Sequence, residues 1–381
     1  MKLVLVTEFP ADPESPHGGV ESVSVNLTRA LAALPDLEVE VVTYCGGKEE
    51  REVFDWCGAR IHRLSPPSGS MFLSSIGSAR REISEYVAAL VPDVIHAHDT
   101  YGIMVREQKC PVLFTVHGFI HGDIIVSKSR FRWLRAKLWK KIETDSWADQ
   151  QAIVSISPYV RERLQQYTKA KIFDIDNPVD ESFFELQAKP QPHTIFCAAA
   201  ICNRKNTMGL VKAIKAMVDR NIEVELRWAG PVTEEDYMHG VQRYIEQHNL
   251  QRHVSFLGQI TSSEIKEELQ QAGVFALVSF EENSPMGIEE AMAVGVPVVT
   301  SSRCGMPYMV DHGVSGYLVD PNDTDEIAGC LAAVVGNPEN RARLSQGAIE
   351  TAQRRFRGSV VARKTAQVYA QLISPMSWAS N

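Results

Sequence analysis

Several features are missing from this chain, and each absence closes off a class of function. No run approaches the roughly 20 consecutive apolar residues that a membrane-crossing helix needs. The opening MKLVLVTEFP is too short in its apolar run for a signal peptide and reads as a first strand. Cysteine is sparse and unpatterned: seven residues, an odd number, with no CxxC. That argues against a disulfide framework and for a reducing compartment, with Cys197 and Cys202 as packing residues rather than zinc ligands. Positive charge is not in excess either, the formal net charge being -8. No overall basic field exists to neutralise phosphates, which argues against nucleic acid as the main partner. There is no GKS or GKT after a glycine loop, no GxGxxG and no HExxH.

What is present is an ordinary globular composition, 44% hydrophobic and 23% charged over 381 residues, enough for two domains with their own cores. Apolar strands alternate with helical patterns throughout. In the first half, strands are expected at 2–7, 38–44, 93–96, 112–116 and 153–156, the last before the domain boundary, with helices at 20–33, 79–90 and 158–167. A Pro- and Gln-rich segment at 187–193 marks a boundary. The alternation restarts at 194–199 and continues through strands at 223–229, 254–257, 274–279 and 296–300. Such a pattern predicts two doubly wound α/β domains. Their limits are placed at 1–180 and 190–357, followed by a last amphipathic helix at about 358–373.

Ligand-binding chemistry is expected where strands meet helix starts. The stretch 274–300, VFALVSFEENSPMGIEEAMAVGVPVVT, reads as strand, polar loop, helix, strand. Ser284 is the expected N-cap and Pro285 the first helical residue, with the helix ending before Gly295. Its amides and dipole would then open at the carboxyl end of a parallel strand, a cradle for anions. Near the start of the chain, His17-Gly18-Gly19 precedes a helix, and a missing Cβ lets backbone amides approach a ligand closely. His117 stands at the carboxyl tip of a strand, where a side chain faces a crevice more often than the core. Asn203-Arg204-Lys205-Asn206 sets two cations between strand and helix, which suits a diphosphate. His96-Ala97-His98-Asp99 places two histidines on one face of a strand, a pattern open to a metal ion and hence to a metal-dependent hydrolase.

One further stretch, KSRFRWLRAKLWKK at 128–141, holds seven basic residues and no acidic one. Phe131, Leu134 and Leu138 recur at helical spacing beside Trp133 and Trp139. Two readings stay open for it. It lies on an anionic bilayer or faces an acidic acceptor, or it packs on its own domain through the leucine stripe with lysines snorkelling.

The stretch 274–300 resembles the signature of retaining glycosyltransferases of family four, which adopt the GT-B fold. In that signature a Glu is followed, after seven residues, by a second Glu immediately before Ala-Met-Ala. Glu290-Ala291-Met292-Ala293 sets the register, so the pair maps to Glu282 and Glu290, while Glu281 and Glu289 stand one residue out. The resemblance implies two Rossmann-like domains facing across a cleft, with the acceptor on the first and the nucleotide sugar on the second. It implies that Glu282 touches donor-sugar hydroxyls and Glu290 holds the nucleotide ribose. Asn283-Ser284-Pro285 stand where many relatives have Gly-Phe-Gly, and together with Met286 they would line the donor site. Gly18 and Gly19 match the glycine loop bordering nucleotide and acceptor. His117, in a TVHG run, matches a histidine near the transferred sugar. Lys205 matches the phosphate-binding lysine, but Ala200 stands where the family has its arginine, leaving Arg204 as the second cation. Gly258 and Ile260 would line the nucleobase pocket, and Tyr308 replaces a usual Glu.

The implied activity is transfer of a hexosyl-type sugar from a nucleotide diphosphate sugar to a glycan, lipid-linked or small-molecule acceptor. The nucleotide sugar is a co-substrate, no cofactor is expected, and no divalent metal is required. Cytoplasmic placement is expected, with peripheral contact to the inner face of a membrane through 128–141. Two alternatives remain beside it: the hydrolase built on His96 and His98, and a non-catalytic sugar-nucleotide binder, to which Ala200 and Tyr308 point.

Overall fold

A computed structural model describes residues 1–16, 18–44, 51–65, 77–105, 108–126 and 131–374. The chain divides into two compact units, Met1–Pro178 with Gly358–Asn381, and Val179–Arg357. Each is a mainly parallel sheet wrapped by helices.

Among the described residues the first unit carries eight strands: β1 (Lys2–Val6), β2 (Glu38–Tyr44), β3 (Glu52–Trp56), β4 (Ala59–Leu64), β5 (Val94–His98), β6 (Val112–Val116), β7 (Ala152–Ser155) and β8 (Lys171–Asp174). Their order is β3-β4-β2-β1-β5-β6-β7-β8. β1 is interior, and Leu3, Val4, Leu5 and Val6 are all fully buried, which explains its unbroken apolar run. Fully burying a side chain of this size contributes about 1.5–3 kcal/mol. Helix Gly19–Ala32 and the last helix, Gly358–Ile373, pack together. Leu27, Leu31, Val361, Tyr369 and Leu372 share one core with β1 and β2.

β3 and β4, like β8, are absent from the sequence reading. β3 and β4 form a hairpin, the one antiparallel pairing among the described strands of this sheet. Charged residues interrupt its apolar pattern, but they pair across the strands, Arg60 with Asp55 and Arg63 with Glu52. The turn holds Cys57 and Gly58 at φ 47° and 83°, two positive values in succession, as a tight hairpin turn demands.

The second unit has six parallel strands: β9 (Gln191–Ala198), β10 (Glu225–Ala229), β11 (Val254–Gly258), β12 (Ala272–Leu277), β13 (Val298–Ser301) and β14 (Gly316–Val319). They are ordered β11-β10-β9-β12-β13-β14. Connections from β9 run to one side and those from β12 to the other, so the sheet reverses between these two strands. Doubly wound sheets bind ligands outside the carboxyl ends of strands at such a reversal. In the first unit the reversal lies between β1 and β5, below Gly18 and Asp99.

Candidate active site

The turn after β9 is built to present cations. A one-turn 3-10 helix, Asn203–Lys205, ends at Asn206 in the left-handed region, φ 57°. Asn206 is buried, and its Nδ2 donates to the carbonyls of Val278 at 3.1 Å and Pro321 at 2.7 Å. Phe280 N donates to Arg204 O at 2.9 Å. These bonds hold the 203–206 turn against the loop after β12. Lys205 Nζ lies 2.5 Å from Glu282 Oε1. Arg204 Nη1 reaches the same oxygen at 3.1 Å and the Glu281 carbonyl at 2.9 Å. Two cations therefore converge on one carboxylate oxygen.

The helix that follows does not start as the sequence reading has it. It spans Met286–Val294, Pro285 is its N-cap in extended conformation, and no side chain caps it. Ser284 Oγ instead donates to Glu289 Oε1 at 2.8 Å. Glu289 is fully buried, and a carboxylate taken out of water needs donors more than a helix start does. Sequence reasoning set Glu289 aside as out of register, although its i+5 spacing from Ser284 was visible. Gly295, φ 87°, ends the helix as expected. Glu290, half-buried one position on from Glu289, has its carboxyl pushed up to about 7 by burial, with Lys266 pulling the other way and Asp180 adding to the rise. The chain returns at Gly305, whose N donates to Glu282 O at 2.8 Å. A Cβ on Gly305 would sit 1.7 Å from Asn283 O, so only glycine lets this loop back the Glu282-Asn283 segment.

In the first unit, Gly18 has φ 94° with nothing within 4 Å of an added Cβ, so backbone conformation alone selects glycine there. Gly19 begins the helix. His117 follows β6, but its ring turns inward rather than to a crevice. The residue is 9% exposed, and Nε2 lies 3.2 Å from His98 Nδ1. His117 N donates to Asp99 Oδ1 at 2.8 Å. Burial raises the Asp99 carboxyl to about 7, opposed by the amides of His117 and Gly118. His96 bonds Tyr369 Oη at 2.7 Å through Nδ1 and Thr115 Oγ1 at 2.6 Å through Nε2. Both ring nitrogens of His96 are thus engaged in hydrogen bonds. Among the described residues no group of three or more His, Cys, Asp or Glu is placed to hold a metal. The hydrolase reading, which needs His96 as a ligand, fails on those two bonds. The adjoining cavity, about 20 Å³, is packing space, far below the several hundred Å³ of a ligand site.

The comparisons with known proteins cover both units. Residues 17–183 match the model described as Glycosyltransferase Family 4, and residues 178–351 match Glycosyl transferases group 1. The chain belongs to the glycosyltransferases, whose two models together match residues 17–351. D-inositol 3-phosphate glycosyltransferase of Corynebacterium glutamicum (strain R) is 29% identical over 177 residues, which is 45% of this chain and 41% of that protein. The chain thus matches less than half the length of that relative. Among solved structures, sucrose-phosphate synthase from Thermosynechococcus elongatus superimposes with TM-score 0.80 at 19% identity, over 97% of this chain and 98% of the other. Anabaena Alr3699/HepE, solved with UDP and glucose, gives TM-score 0.75 at 17% identity, over 98% and 100%. The fold is that of GT-B glycosyltransferases.

Elsewhere in this glycosyltransferase, Gly258 ends β11 at φ 71° and its carbonyl accepts from Gly230 N at 2.7 Å, with Ile260 two residues on. His17 and residues 128–130 lie outside the described residues. The basic helix spans Arg132–Ala148 and buries Ala136, Trp139, Glu143, Ser146 and Trp147. Phe131, Trp133, Leu134 and Leu138 are exposed. The leucine stripe therefore does not pack on its own unit. Glu143 anchors the opposite face, accepting from Ile120 N, His121 N and His121 Nδ1 at 2.8, 3.0 and 2.7 Å. No helix among the described residues is long and apolar enough to cross a membrane. Cys197 and Cys202 are buried and free, as packing residues are.

Proposed function

We propose that this glycosyltransferase moves a hexosyl-type sugar, with retention, from a nucleotide diphosphate sugar to a glycan, lipid-linked or small-molecule acceptor. The observation that carries the proposal is the convergence of Lys205 and Arg204 on Glu282 at the sheet reversal. A diphosphate arriving there would meet two cations and free the Glu282 carboxylate to accept hydrogen bonds from sugar hydroxyls. The acceptor hydroxyl attacks the anomeric carbon on the face from which the diphosphate leaves. The bond from that carbon to the diphosphate oxygen breaks, and the hydroxyl proton passes to the departing phosphate oxygen. Lys205, Arg204 and the first-turn amides from Met286 stabilise the growing negative charge. Arg204 thereby takes the part that Ala200 cannot. Protein cations do this work, and no divalent metal enters the proposed step. Glu290, on the same helix, would hold the ribose, and Gly258 and Ile260 would flank the base. Gly18, Gly19 and His117 are assigned to the acceptor side.

The exposed Phe131, Trp133, Leu134 and Leu138 among Arg132, Arg135, Lys137, Lys140 and Lys141 favour peripheral docking on an anionic leaflet. Such docking would suit a lipid-linked acceptor on the cytoplasmic face. A thermal-shift panel of UDP-, GDP- and ADP-sugars tests the transferase reading, because a matching donor stabilises the folded state by mass action. UDP-glucose leads the panel, since Alr3699/HepE was solved with UDP and glucose. Silence across the whole panel would defeat the proposal.

A further inference from the structure

Arg63 is a buried cation on β4, with 6% of the residue exposed. Its register partner across the hairpin is Glu52, and Nη1 donates to Glu52 Oε2 at 3.2 Å. The other arm of the guanidinium leaves the hairpin. Nη2 donates to two successive carbonyls of the loop after β1, Pro10 O at 2.8 Å and Ala11 O at 2.7 Å. Cζ lies 4.5 Å from the centroid of the Phe54 ring, a cation–π contact that steadies the fork.

Neighbouring contacts tie the same loop to the same strands. Thr7 N donates to Val42 O at 3.2 Å, prolonging the β1–β2 ladder by one bond. Phe9 N donates to Thr43 Oγ1 at 3.2 Å, and Thr43 is the register partner of Arg63, so both side chains rise from one face of the sheet. Phe9 packs edge-on against Trp56 of the hairpin, with centroids 5.6 Å apart. Arg29 lies 5.1 Å from the Trp56 ring and pairs with Glu14 at 3.2 Å. Pro10 is buried and has no N–H, so its carbonyl is the backbone group left to satisfy. A buried carbonyl that loses its donor finds another only by moving out to water. The hairpin thus sets the path of the loop towards Gly18.

From this geometry we infer that Arg63 is a positioning residue for the loop at 8–16, and through it for the acceptor side of the site. Doubly wound sheets bind ligands outside the carboxyl ends of strands at a reversal, and this loop leaves β1 at the reversal between β1 and β5. A guanidinium meets the two carbonyls and the Glu52 carboxylate from separate nitrogens. A lysine ammonium is a single, shorter donor and cannot span them. The bearing on the acceptor rests on the proposed transferase function, whereas the clamp does not.

Hydrogen exchange of the full chain, read on peptides covering 8–16 and 112–116, tests the clamp. Arg63→Met keeps an apolar stem against Phe54 and removes all three hydrogen bonds. Exchange over 8–16 is expected to quicken about tenfold or more, while 112–116, in β6, stays within about twofold of wild type. Quickening shared by both stretches, or none over 8–16, overturns the inference. Arg63→Lys keeps the charge beside Glu52 and is expected to leave 8–16 more than about twofold faster than wild type. Protection closer to wild type than that would show that charge alone suffices, and equally overturns the inference. Should Arg63→Met fail to fold, Arg63→Lys carries the same comparison. The nucleotide-sugar panel reports separately. A donor that stabilises wild type is expected to stabilise the variants equally, because the proposed function places the nucleotide on the second unit. A thermal shift lost in the variants overturns the acceptor assignment, and no shift in wild type defeats the transferase reading while exchange still decides the clamp.

Discussion

Lys205 Nζ lies 2.5 Å from Glu282 Oε1, with 13% and 9% of the two side chains exposed. A largely buried ion pair at a sheet reversal is costly to break by removing one partner. On the proposed function, Glu282 and a diphosphate compete for the same cation. Lys205→Ala is expected to weaken nucleotide diphosphate binding by about 10–100-fold, roughly 1.4–2.8 kcal/mol. Glu282→Gln should tighten bare nucleotide diphosphate and slow transfer. Calorimetric titration reads both, and equal affinities in wild type and Lys205→Ala would count against the assignment.

Glu290 makes stability depend on pH. Burial raises its folded carboxyl to about 7 against an ordinary 4.5. The folded state therefore holds a proton that the unfolded chain has released, and stability is lost as pH rises through 7. Glu290→Gln removes this dependence. Its melting temperature relative to wild type should climb between pH 5 and 8, and a flat difference would show that the carboxyl titrates normally.

Asp99 behaves alike in sign, with a folded carboxyl at about 7, and it also holds His117 N. Its φ of 43° is a backbone region that Asn also tolerates. Asp99→Asn is expected to keep the fold and flatten the loss of stability that wild type shows as pH rises from about 4 to about 7. Asp99→Ala should cost about 1–3 kcal/mol in urea unfolding, because it strands a buried donor.

Gly305→Ala tests the backing of the donor loop. Its Cβ would fall 1.7 Å from a main-chain oxygen of Asn283, so backbone must move. A destabilisation of about 1–3 kcal/mol is expected, together with weaker nucleotide binding. Stability and affinity both at wild-type values would show that this contact does not hold Glu282 in place.

Trp133→Ala combined with Leu134→Ala removes two exposed apolar side chains from the basic helix without touching its buried face. Flotation with vesicles containing anionic lipid should be strong for wild type at low salt and reduced several-fold in the double variant, with little change in melting temperature. Wild type left at the bottom of the gradient would rule out membrane docking.

Much of this molecule follows from its sequence. Unbroken apolar runs mark the central strands around the site because burial on both faces leaves few residue types acceptable at Leu3–Val6 or Phe275–Leu277. Pro285 and Gly295 locate the two ends of the Glu290 helix within a residue. The β3–β4 hairpin was hidden because its charges satisfy one another across strands, a partnership no linear pattern displays. Ser284 was misjudged as a cap for a related reason: the donor it supplies goes to Glu289, whose burial exists only after the helix has packed. Tertiary structure alone brought Arg204 and Lys205 onto Glu282, 77 to 78 residues away, and Tyr369 onto His96. Local sequence determines which segments can be strand or helix, since those choices rest on neighbouring residues. Which polar group meets which is decided by the strand order, because buried donors and acceptors must be satisfied by whatever the fold places beside them.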